Sequence, residues 1–166
     1  MAGKRMKNME NIISNKLVNI SISLEDYIPL KVLINRTGEP VKTISYFKGK
    51  TSLLEITVGI TSGFIKRVAL LLSKEFEIND SKLSIDVYEI ADLKVNDELK
   101  NCCVYFITHL YDDGIRIVIS ESKIIKYVKM DRLFVGLSNL GSIAEICLCQ
   151  LTPSDIEHIK NELNYQ

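Results

Sequence analysis

A two-residue rhythm of apolar and polar side chains runs through most of this chain, and it restricts the fold more than any other feature. Val18, Ile20, Ile22 and Leu24 alternate with Asn19, Ser21 and Ser23. Successive side chains of a strand point to opposite faces, so the pattern predicts a half-buried β-strand. Leu30, Val32 and Ile34 repeat it. Residues 36–40 (RTGEP) read as a turn, 41–47 as the next strand, and Lys48-Gly49-Lys50 as another turn. Residues 53–60 and 64–72 form two arms about Thr61-Ser62-Gly63, both rich in β-branched residues. Residues 83–90 (LSIDVYEI) alternate again and predict a strand, with 91–100 as a polar connection. The segments 102–110 and 115–119 flank Asp112-Asp113-Gly114, where Asp-Gly is expected to supply the positive φ of a tight hairpin turn. A short strand is expected over 123–129, and 132–137 and 143–148 flank Ser138-Asn139-Leu140-Gly141.

Only the two ends depart from this rhythm. Residues 1–8 are basic and read as a mobile start, and 6–14 have spacing compatible with a short helix or a loop. The close of the chain is a helix with strong start signals. Thr152 is placed to cap it, Pro153 to occupy its first position and Asp155 to complete a capping box. Ile156, Ile159 and Leu163 form an apolar stripe expected to face a sheet, which leaves His158 on the solvent side. The expected class is therefore α+β: a mostly antiparallel β-sheet built from hairpins, with a C-terminal helix packed on it, in a single domain over 1–166.

Two hairpins read alike. Val58, Gly59 and Ile60 match Val135, Gly136 and Leu137, Gly63 matches Gly141, and Ile65, Val68 and Leu70 match Ile143, Ile146 and Leu148. A duplicated β unit would produce this, and so would convergence on one turn chemistry. In both, the glycine before the turn marks a bulge or a close backbone approach.

Composition narrows function. Lys plus Arg equal Asp plus Glu at 21 each, which disfavours direct nucleic-acid binding, since that needs excess positive charge. No apolar run approaches a membrane span, and the basic start is not followed by a hydrophobic signal segment. A cytoplasmic location is expected. Cys102, Cys103, Cys147 and Cys149 sit in apolar segments, as small buried hydrophobes do in a reducing compartment.

The usual catalytic signatures are missing. Gly49-Lys50-Thr51 lacks the earlier glycine of a phosphate-binding loop, since Ile44 stands there, and a strand rather than a helix follows. Adjacent Cys102 and Cys103 point to opposite faces, and Cys147 and Cys149 lack knuckle spacing, so no metal site is expected. Cys103 and His109 share a strand face but lie six residues, roughly 20 Å, apart, beyond the reach of a nucleophile and its base. Asp112-Asp113 and Asp97-Glu98 read as solvated polar tips. No catalytic residue and no cofactor is expected.

Charge patterning is more informative. From Glu75 to Glu98 there are eight acids and two bases, whereas 31–50 hold five bases and one acid. Acidic surfaces steer basic partners. The acidic segment supplies the candidate partner-binding residues Asp80, Asp86, Glu89, Asp92, Asp97 and Glu98, joined by Asp112 and Asp113.

Residues 53–78 (LLEITVGITSGFIKRVALLLSKEFEI) and 133–163 (LFVGLSNLGSIAEICLCQLTPSDIEHIKNEL) resemble, in layout, small bacterial immunity proteins of contact-dependent growth-inhibition and polymorphic toxin systems. The resemblance implies a cytoplasmic protein that binds a cognate toxin domain and covers its active site. A nuclease-like toxin would present a basic cleft, and the acidic residues would occupy it in place of phosphates. Two alternatives stand beside it: a small enzyme with its site in a β cavity, and an oligomeric module joined through an exposed strand edge.

Overall fold

The computed structural model describes residues 11–14, 17–34, 38–95, 102–104 and 106–166. The first sheet is built from β2 (Ile20–Glu25), β3 (Ile28–Ile34), β4 (Val41–Lys48), β5 (Ser52–Gly59) and β6 (Ile65–Ser73). They lie in the order β2-β3-β6-β5-β4, all antiparallel. The second sheet is built from β10 (Ile107–Leu110), β11 (Ile115–Val118), β12 (Ile124–Met130), β13 (Leu133–Ser138) and β14 (Ile143–Leu148). Their order, β10-β11-β14-β13-β12, repeats the first sheet strand for strand and direction for direction.

Shorter strands extend both units. In the first sheet β9 (Cys102–Cys103) runs parallel to β4. In the second, β8 (Glu89–Lys94) runs parallel to β12 and carries β1 (Asn11–Ser14) antiparallel beside it. At the opposite edge β7 (Phe76–Ile78) runs parallel to β10. The parallel additions come from the segments that join the two units, since a parallel neighbour needs a crossover rather than a hairpin.

The alternation of the sequence places one face of each sheet in a common core. Leu30, Val32, Ile44, Leu54, Ile56, Val68 and Leu70 come from the first sheet. Leu110, Ile115, Ile117, Val128, Leu133, Val135, Ile146 and Leu148 come from the second. The hairpins β5/β6 and β13/β14 occupy equivalent places, and they are the two that read alike in sequence. Gly63 and Gly141 both have φ +74° in their turns, and each ladder carries an irregularity before its turn, at Thr57/Val58 and Gly136/Leu137. The segment Gly49-Lys50-Thr51 is simply the β4–β5 turn, with Thr51 Oγ1 donating to the Lys48 carbonyl at 2.8 Å.

The C-terminal helix, α1 (Pro153–Asn164), starts as its sequence predicts. Asp155 N donates to Thr152 Oγ1 at 3.1 Å, and Thr152 N donates to Asp155 Oδ2 at 2.9 Å. Ile159 and Leu163 enter the common core. The solvent-facing expectation for His158 is overturned, because its Nε2 lies 3.1 Å from the Ile28 carbonyl of β3. The same helix anchors Tyr27 N through Glu162 Oε2 at 2.9 Å, so its polar side binds the β2–β3 turn. No helix among the described residues is long and apolar enough to cross a membrane.

Four further expectations change. Residues 83–88 form no ladder; the strand starts only at Glu89, and β8 takes residues read as a polar connection. The short helix or loop expected near 6–14 is a strand at Asn11–Ser14, and the remaining residues of that stretch lie outside those described, as does the start at 1–8. Cys102 and Cys103 belong to the first sheet, so the third hairpin shrinks to β10 and β11. Its glycine is not left-handed: the positive-φ glycines are Gly49, Gly63 and Gly141. Gly114 is needed for space instead. A Cβ there would lie 2.8 Å from the Leu148 carbonyl and 2.9 Å from Leu83 Cβ.

Candidate functional site

Strands β13 and β14 are buried on both faces. One face meets the common core. The other carries Phe134 and Cys147, which form a second apolar cluster with Leu83 and Cys149. Leu83 and Ile85 come from residues 81–88, which cross this outer face as a strap without sheet hydrogen bonds. Leu83 N donates to Asp113 Oδ1 at 2.9 Å, and Asp112 N to the Ser81 carbonyl at 2.9 Å. At the far end Tyr88 stacks edge-on to Phe134, with ring centroids 5.4 Å apart, under the Lys129 ammonium at 4.9 Å.

Beneath the strap, strand register assembles a polar network. Arg116 of β11 is level with Cys147 of β14, and Glu145 is level with Gly136 and, beyond it, Tyr127 of β12. Glu145 Oε1 accepts from the Tyr127 hydroxyl at 3.1 Å and the Cys147 thiol at 2.9 Å. Arg116 Nε is 2.8 Å from the same oxygen, an ion pair whose N–H is out of line for a hydrogen bond. Gly136 makes the arrangement possible. A Cβ at that position would lie 3.1 Å from Tyr127 Cε1 and 3.2 Å from Glu145 Cβ, closing the path the tyrosine takes across β13.

The electrostatics keep these groups out of nucleophilic chemistry. Burial, then the Glu145 charge, pushes both the Tyr127 phenol and the Cys147 thiol well above their ordinary ranges. Burial opposes the Arg116 charge, but Glu145, Cys147 and Tyr111 together more than offset it, so the guanidinium is held protonated. Burial, then Asp113, pushes the Cys149 thiol up to about 11. A thiolate is the reactive form of cysteine, so neither thiol is armed.

This yields a measurable pH dependence. A raised folded pKa contributes stability that is complete below the unfolded value near 9.0 and is lost as pH rises toward the folded value, about 11 for Cys149. At pH 9 to 10, iodoacetamide followed by peptide mass spectrometry should modify Cys147 and Cys149 roughly 100-fold more slowly in the native chain than in urea. Equal rates would contradict the burial described.

Two hollows lie at the two ends of the strap, which itself walls only the first. One, of ≈ 630 Å³, lies between residues 84–89 and 124–127, with Arg116 on its lining. The other, of ≈ 500 Å³, lies between residues 78–80, the Tyr111-Asp112 turn and the first turns of α1. The candidate acids are divided between them. Asp80 and Asp112 meet in the second hollow with Glu157, against Lys160, the one cation among its described lining residues. Asp86 and Glu89 line the first, where Glu89 Oε2 is 3.0 Å from Lys126 Nζ. Asp113 is spent on holding Leu83. Asp92 has 0% exposure within β8, between buried Ala91 and Leu93, so its carboxylate does not reach the surface. Asp97 and Glu98 lie outside the described residues.

Sequence reasoning overlooked Arg116, Tyr127, Glu145 and Glu157. A signal existed for two of them: one arginine in IRIV and one glutamate in AEICL, each a lone charge in an apolar strand, which calls for a partner across the ladder. Among the described residues no group of three or more His, Cys, Asp or Glu side chains is placed to hold a metal. No protein family and no curated protein matches the chain.

Proposed function

We propose that this chain is a recognition module that binds and neutralises a cognate toxin domain, in the manner of the immunity proteins its layout resembles. One observation carries the reading. Asp80, Asp112 and Glu157, drawn from three distant parts of the chain, converge on one hollow with Lys160 as the only cation among its described lining residues, beside Ile78 at 54% exposure. An acidic rim around an apolar floor complements a basic surface that carries an apolar projection. The partner expected is a basic, nuclease-like domain in the cytoplasm, with its active site covered by this face. The matching strand order of the two sheets supports the further reading that the chain arose from a duplicated β unit.

The test is co-expression with the products of adjacent reading frames in a sensitive host. Protection and a direct complex are expected with one of them. Asp80→Lys combined with Asp112→Lys should weaken that complex at least about tenfold and flatten the salt dependence of its association rate. Both positions are exposed, so the thermal midpoint should move by less than about 2 °C. An unchanged affinity, or no toxic neighbour, overturns the reading.

A further inference from the structure

We infer that the hollow between the strap and β12 seats an apolar side chain flanked by a lysine or arginine of a partner protein. The inference rests on the protein-binding reading above and adds a second contact point to it. Three large apolar side chains on this lining face solvent: Val87 is 84% exposed, Ile125 64% and Tyr88 42%. A soluble chain rarely gathers such residues around one concavity unless something covers them. Ile125 is there by construction. The β12–β13 ladder is irregular between Ile124 and Lys126, so Ile125 is the residue left outside the pairing.

Charge selects the occupant. Lys126 is matched by Glu89 at 3.0 Å, and Arg116 by Glu145 at 2.8 Å. Asp86 lines the same hollow and has no charged partner among the described residues. One carboxylate is therefore left over in an apolar rim, which complements one cation beside an apolar group. The wall is also fixed in advance. Tyr88 is held between Lys129 and Phe134, and Leu83 and Ile85 are packed on the sheet, so little ordering entropy is lost on binding.

The experiment is an NMR titration of the isotope-labelled full chain with the capped peptides GKWG and GEWG. The lysine peptide should shift amides of residues 84–89 and 124–127 with a Kd on the order of 1 mM. The glutamate peptide should bind at least about fivefold more weakly, and Asp86→Asn should erase that difference. Val87→Ser with Ile125→Ser should weaken both peptides while leaving the spectrum of the fold intact. Equal binding of the two peptides, shifts elsewhere, or no shifts up to about 10 mM would overturn the inference. So would a concentration-dependent dimer abolished by Ile125→Asp, which would make a second copy the occupant. The outcomes separate from those of the toxin reading. Asp80→Lys with Asp112→Lys should leave the peptide shifts untouched, and protection without peptide binding would remove this inference alone.

Discussion

Replacing Glu145 by leucine should lower the unfolding free energy by about 3 kcal/mol, while replacing Glu145 by leucine and Arg116 by methionine together should restore most of it. Glu145, on an 8% exposed side chain, is the counter-ion of Arg116 and accepts hydrogen bonds from Tyr127 and Cys147. Removing it leaves a guanidinium that is mostly out of water without a counter-ion. Arg116 keeps 29% exposure, so the cost falls at the lower end of that for a fully buried pair. Removing both charges takes away the penalty along with the attraction. Urea denaturation of the four members of the cycle measures the coupling. A second readout separates charge from packing: without Glu145, the Tyr127 phenol should titrate at lower pH in ultraviolet absorbance. Additive single-mutant effects would show that the ion pair contributes nothing.

Gly114→Ala should cost about 3 kcal/mol, far more than its turn position implies. The new methyl would meet the backbone carbonyl of Leu148, inside the fully buried β14, and the Cβ of Leu83, which anchors the strap. Neither is the free end of a flexible side chain, so strand or strap must shift. Gly49→Ala is the matched control. Gly49 has φ +51° and open space around it, so alanine there costs only the left-handed strain, about 1 kcal/mol. Thermal unfolding compares the two. The Gly114 variant should also expose Cys147 to alkylation at pH 9, since the displaced strap is what covers it. Equal costs at the two glycines would refute the close-approach role of Gly114.

The sequence made the strands legible because alternation records which way each side chain points. It located both long hairpins, their glycine turns and the capped helix. Alternation does not record a hydrogen-bond ladder, and that is where LSIDVYEI misled. Leu83 and Ile85 point inward as a strand's would, but they reach the outer face of a sheet already formed, and no strand pairs with them in a ladder. The next residues were misread in the opposite sense. Polar Asp92 and Lys94 hid the buried Ala91 and Leu93 of a real strand. Gly114 looked like turn chemistry because Asp-Gly usually is, and only three-dimensional proximity reveals the carbonyl pressing on it. Of the eight candidate acids, Asp80 and Asp112 meet in one hollow and Asp86 and Glu89 in the other. No local pattern could have sorted them, because the sorting depends on how the strap crosses the sheet.

Each five-stranded unit is followed by a piece that belongs to the other. After β6 the chain contributes β7 to the second sheet, and after β14 it contributes α1 to the first. Tyr27 and Glu162 meet across 135 positions, and Ser73 and Gln166 across 93. Closure at such separations is slow, because loop entropy must be overcome before the contacts form. It also sets an order during synthesis. The first sheet leaves the ribosome well before its seal, residues 153–166. The nascent chain thus carries an unclosed β-sheet while the intervening residues are made, and protecting its edges in that interval is a task for chaperones.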